Sequence, residues 1–133
     1  MLSLLLVAFL AAAATLTPFG NVPTHSIQPL QAKSDTGALR TICTAFSINE
    51  RAKMWGTAAH CVAGKSAEGQ NEVREVFIGG KPTTHMMVNI VLDLAVLQAE
   101  VSAPAIPLGG RPALGDPVRV YGYMWGEYSP TIF

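Results

Sequence analysis

The chain is poor in charge, and the charge it has cancels. Nine lysines and arginines balance nine aspartates and glutamates over 133 residues, 14% in all, and like charges nowhere run together. Such a surface presents no broad field to nucleic acid or to anionic lipid, so neither is expected as a partner. Cysteine is scarce as well, with only Cys43 and Cys61. No Cys-x-x-Cys and no His-x-x-x-His occurs, and the set His60, Cys61, Cys43 and His85 has poor chelating spacing, so no metal and no cofactor are expected. The five methionines read as core filler rather than as a cofactor box. Beyond residue 16 there is no low-complexity tract, no internal repeat and no apolar run of the roughly 20 residues that span a bilayer.

What is present begins with MLSLLLVAFLAAAATL, residues 1–16. The run is too short for a membrane span and ends in small residues, which is the pattern of a cleaved signal peptide. An uncleaved anchor or a buried helix is the alternative, because no lysine or arginine precedes the run. Cleavage leaves about 115 residues, one modest domain, secreted or periplasmic and with no membrane attachment. In an oxidising compartment an even cysteine count favours a bridge over two buried thiols. A Cys43–Cys61 bridge closes a loop worth about 3 kcal/mol in chain entropy.

Residues 17–40 are rich in Pro, Gly, Ser, Thr and Gln with little apolar periodicity, and read as a spacer or propeptide-like segment without core residues. The β-branched and aromatic stretch TICTAFSI, 41–48, predicts a strand, NERAK a turn, and Met54 the start of a second strand that stops at His60. A polar loop follows, then VREVFIGG as a short strand. HMMVNIVLDLAVLQAE is divided by Asn89 and Asp93 into two strands more readily than it forms one helix. The proline-studded APAIPLGGRPALGDP is neither helix interior nor central strand, and one more strand is expected from Val118. Short strands punctuated by glycine and proline predict an all-β barrel or sandwich.

Of three histidines, His25, His60 and His85, only His60 has a distinctive setting. Small Ala58 and Ala59 let the backbone turn behind it, and Cys61 can tie that turn to the strand carrying Cys43. A ring so held is suited to transferring protons, though a strand-end histidine bonded to backbone is the plainer reading. Asp93 is a lone carboxylate among Val91, Leu92, Leu94, Ala95, Val96 and Leu97. It must be paired or solvated, since burial alone costs several kcal/mol. A histidine N–H would satisfy it and fix that histidine's tautomer; a turn-capping aspartate is the alternative.

Thr57-Ala58-Ala59-His60-Cys61 resembles the histidine motif of trypsin-like, chymotrypsin-fold serine proteases, and Asp93-Leu94-Ala95-Val96-Leu97 resembles their aspartate motif. Cys43 stands where that family carries the partner of the cysteine after the histidine. Leu114 to Val118 and Tyr121-Gly122-Tyr123 look like the passage into the second barrel. The resemblance implies an antiparallel Greek-key barrel, the first of two, over 41–110, with 111–133 as inter-barrel connection and first strand of a second barrel. It implies His60 as general base and then acid, Asp93 as its orienting partner, and protein or peptide substrates.

The third member of that constellation is absent. No serine of the chain lies in a Gly-Asp-Ser-Gly-Gly-type motif, and Ser129 is followed by Pro130, which removes an N–H where an oxyanion hole needs donors. No Ile-Val-Gly-Gly-like stretch precedes Cys43, so activation by an inserted N-terminus is not expected. The reading is therefore of a secreted serine endopeptidase represented by its N-terminal part, inactive alone. The alternatives are a non-catalytic binding module built on one barrel, and a split enzyme whose second barrel is a separate chain.

Overall fold

The structure is a computed structural model that describes residues 22–65, 68–124 and 127–132. The leader-like residues 1–16 lie outside the described residues. Six strands close into one antiparallel barrel: β1 (Ile27–Lys33), β2 (Leu39–Asn49), β3 (Met54–Thr57), β6 (Phe77–Ile78), β7 (Lys81–Asn89) and β8 (Leu94–Ala99). Between β3 and β6 lies a small hairpin of β4 (Ala63–Lys65) and β5 (Asn71–Val73). The barrel order β1-β2-β3-β8-β7-β6, with β6 returning to β1, is a Greek key.

Local chemistry accounts for the turns. Gly79 and Gly80 join β6 to β7 with φ of 58° and 76°, the two left-handed residues that a tight hairpin of matching twist requires. Between β2 and β3 the Asn49 carboxamide accepts from Ala52 N–H at 2.9 Å, an Asx-type turn. The core is assembled from alternate strand residues, with Leu30, Ala45, Trp55, Ile78, Ala95 and Leu97 all fully buried.

One expectation is corrected here. The segment 17–40, read as a spacer without core residues, contains β1 and the start of β2, and its Ile27, Leu30 and Ala32 are buried. Two features hide it in the sequence. Its apolar residues are few, and Pro29 argues against a strand with neighbours on both sides. In the barrel, β6 reaches only Leu30 and Gln31 of β1, so Pro29 falls outside that ladder.

Of the remaining elements, TICTAFSI falls within β2 and Met54 opens β3 as the sequence predicts, whereas the polar loop after His60 contains the β4–β5 hairpin and VREVFIGG is strand only at Val73 and Phe77–Ile78. The run from His85 to Glu100 divides into β7 and β8 around the turn 90–93. The proline-rich connection forms no strand, yet it is fastened to the barrel at its start. Val101 C=O accepts from Trp55 Nε1 at 2.9 Å, Ala103 C=O from Ser47 Oγ at 2.7 Å, and Pro104 C=O from Ser26 Oγ; Ile106 N–H donates to Ser47 C=O at 3.0 Å. After it comes a hairpin rather than one strand, β9 (Arg119–Met124) with β10 (Glu127–Ile132). Tyr123 docks this hairpin on the barrel, its N–H donating to Thr44 Oγ1 at 2.9 Å and its hydroxyl to Ile27 C=O at 3.3 Å.

Candidate active site

β3 ends at Thr57, whose hydroxyl donates to Thr44 C=O at 2.9 Å, and the chain turns at once into a single 3-10 turn, Ala59–Cys61. Cys61 N–H bonds back to Ala58 C=O and Val62 N–H to Ala59 C=O, each at 3.1 Å. Ala59 and Cys61 are buried in this turn while His60 faces outward. Cys43 and Cys61 are joined by a disulfide with Cα atoms 6.2 Å apart, which fastens the His60 turn to the middle of β2.

Asp93 closes the turn before β8. Asn89 Oδ1 accepts from Leu92 N–H at 3.0 Å and Ile90 C=O accepts from Asp93 N–H at 3.3 Å. Asp93 itself adopts a left-handed φ of 53°, a conformation aspartate tolerates better than most residues. The β3–β8 ladder, which pairs Thr57 with Ala95, then brings the two turns together although 33 residues separate His60 from Asp93.

Three contacts link them. Asp93 Oδ1 accepts from His60 N–H at 2.9 Å, and His60 Nδ1 lies 2.8 Å from Oδ2 and 3.1 Å from Oδ1. An ionised carboxylate only accepts, so Nδ1 carries the ring proton and the neutral ring's lone pair is at Nε2. The backbone N–H of His60, followed by its ring, holds the Asp93 carboxyl below its ordinary value. The pair is open to solvent, with 72% of the His60 side chain and 50% of the Asp93 side chain exposed. The carboxylate that the sequence surrounds with apolar neighbours is therefore both paired and solvated, because Val91 and Leu92 point away from the core.

Beside the imidazole lies an apolar cleft of about 480 Å³, lined by Ala59, Ala63, Val73, Val88 and Ile90 together with His60 and Asp93. These lining residues are not evident in the sequence. Val88 and Ile90 flank Asn89, and this alternation is the one signal that could have marked them. Of the other histidines, His25 lies in a 3-10 turn at 24–26 and His85 on β7, with its Nε2 buried and lacking a hydrogen-bond partner. Neither joins the pair. Cys43, Cys61 and His60 are the one group among the described residues with metal-ligand atoms close together, but the two sulfurs are bonded to each other and offer no thiolate. Ser129 lies on β10 opposite Gly122.

This closed six-stranded barrel has the chymotrypsin-like fold. Among solved structures, the chain is similar to the Rv3671c protease from M. tuberculosis in its active form, at a TM-score of 0.59 and 24% identity, over 88% of this chain and 59% of that one. The chain thus corresponds to about three-fifths of that protein's length. No protein-family model matches the chain, and no curated protein matches it in sequence.

Proposed function

We propose that this chain carries the histidine–aspartate half of a secreted or periplasmic chymotrypsin-like serine endopeptidase. The observation that carries the reading is the His60–Asp93 pair itself, with Nδ1 engaged at 2.8 Å and Nε2 left as a base at the mouth of an apolar cleft. In the reaction, His60 Nε2 takes the proton of a serine hydroxyl as it attacks the scissile carbonyl, then returns it to the leaving amine. Asp93 fixes the tautomer and stabilises the imidazolium that forms. The cleft accepts an apolar substrate side chain near the scissile bond. The leader-like residues 1–16 and the disulfide support an oxidising destination.

The nucleophile and the oxyanion donors belong to a second barrel, on the same polypeptide or on another. Supplying that barrel should produce labelling by a serine-directed fluorophosphonate probe, which His60→Ala abolishes and which the 133-residue chain alone does not show. Labelling that survives His60→Ala would sink the proposal. A second reading, a non-catalytic binding module, is favoured by one observation: the barrel closes on its own core and carries its own disulfide. It requires that no second barrel restore labelling and that the chain be a soluble monomer.

A further inference from the structure

Where β1 passes to β2, three cations border one concavity of about 300 Å³: Lys33, Arg40 and Arg74. Glu75 is the single carboxylate on its wall, and buried Phe77 with Ala32 supplies its apolar part. The Lys53–Glu100 ion pair and the His60–Asp93 contact, the charged contacts among the described residues, engage none of the three cations. In a chain whose formal charges cancel, this is a concentrated positive surplus.

Each cation is mounted on fixed backbone. The Lys33 ammonium stands 5.3 Å from the centre of the Phe77 ring, a cation–π distance. Arg40 is held in the β1–β2 ladder opposite Ala32, and Arg74 N–H donates to Val62 C=O at 2.7 Å. The concavity also adjoins others. It shares Arg74 and Glu75 with a neighbouring hollow, and that hollow shares Gly64, Glu72 and Val73 with the cleft beside His60. The cationic concavity and the cleft beside His60 are thus neighbours on either side of this hollow, with Glu72 and Glu75 between them.

We propose that the Lys33–Arg40–Arg74 concavity binds the carboxylates of an acidic polypeptide segment. Guanidinium groups match carboxylates with two parallel hydrogen bonds, and Phe77 and Ala32 can cover the methylene stems of glutamate. Three cations around one concavity suit several carboxylates carried on one chain better than a single small anion. Nearness to the His60 cleft makes the bound segment one part of a longer peptide, and that extension rests on the peptidase reading; the binding itself does not.

The test is fluorescence anisotropy of a labelled Glu-rich decapeptide and its Gln counterpart with the full 133-residue chain at low ionic strength. The Glu peptide should bind at least about tenfold more tightly, and the preference should shrink as salt rises. Arg40→Glu with Arg74→Glu should remove the preference, Arg40→Lys with Arg74→Lys should weaken it, and Arg51→Glu with Arg111→Glu, the same change of charge elsewhere, should leave it. Circular dichroism checks that each variant is folded; if the glutamate pair is not, the lysine pair and the salt series carry the test. Absence of preference, equal loss in the Arg51/Arg111 pair, or displacement by inorganic phosphate as readily as by peptide would overturn the proposal.

Discussion

Two separate N–H groups of His60 converge on Asp93, and they respond differently to mutation. In His60→Ala the ring is lost but the backbone donor, the larger cause of the lowered Asp93 pKa, is kept. The Asp93 carboxyl, followed by carbon NMR through acid titration, should therefore move only part of the way back toward an ordinary aspartate; full return would show that the ring acts alone. Asp93→Asn makes a different demand. Its amide can present N–H to Nδ1 only if the ring proton moves to Nε2. Nitrogen NMR of His60 should then show the Nε2–H tautomer, and the base would be lost without loss of the fold. Each histidine motif residue was legible in sequence because each is local: small alanines, the histidine, the cysteine. The Asp93 environment was not, because whether Val91 and Leu92 point inward depends on how the turn 90–93 closes between β7 and β8.

At the level of elements, two fasteners hold the site. The disulfide ties the His60 turn to β2 across an 18-residue separation. Its reduction should cost about 3 kcal/mol by loop entropy, measured as a shift in urea midpoint with and without reductant. A midpoint that does not move would mean that strand pairing alone holds the turn. The second fastener is the strap from Val101 to Ile106. Trp55→Ala removes a buried indole and its bond to Val101 C=O, and should destabilise by about 3–5 kcal/mol. Ser47→Ala leaves the Ala103 carbonyl without its donor and should cost about 1–2 kcal/mol. Prolines marked this segment as unable to form a central strand, correctly, but its attachment depends on buried Ser26 and Ser47, which look in sequence like ordinary polar residues. β1 shows the converse: Pro29 obscured a strand because the short reach of β6 cannot be read from β1 itself.

For the molecule as a whole, the turn that carries Asp93 also exposes apolar surface. Val91 is 95% exposed and Leu92 70%, with Ile90 beside them, and a patch of this kind favours association. Val91→Ser with Leu92→Ser should reduce light scattering by the purified chain while leaving unfolding within about 0.5 kcal/mol. A substantial loss of stability would show that these side chains pack in solution. The pH dependence follows from two carboxyls. Asp93 and Glu100 both have lowered values in the fold, the first through His60 and the second through the Lys53 ion pair. A lowered folded value contributes stability that is fully present above the ordinary carboxyl range near ~4 and is lost as pH falls through the lowered value. Denaturation profiles should therefore show stability declining below about pH 4.

The sequence by itself determined the all-β character, the strand–turn–strand order from Thr41 to Thr57 and from His85 to Ala99, and the identity of the histidine, aspartate and cysteine pair, because these rest on short-range signals of alternation, turn chemistry and motif. Tertiary structure decided the rest. Barrel closure recruited β1 from an apparent spacer, since a strand with few apolar residues becomes stable only when β2 and β6 cover it. The β3–β8 ladder brought residues 33 apart to hydrogen-bonding distance. Both the cleft beside His60 and the cationic concavity at Arg40 and Arg74 arise where segments distant in sequence meet, and no local pattern encodes such a meeting.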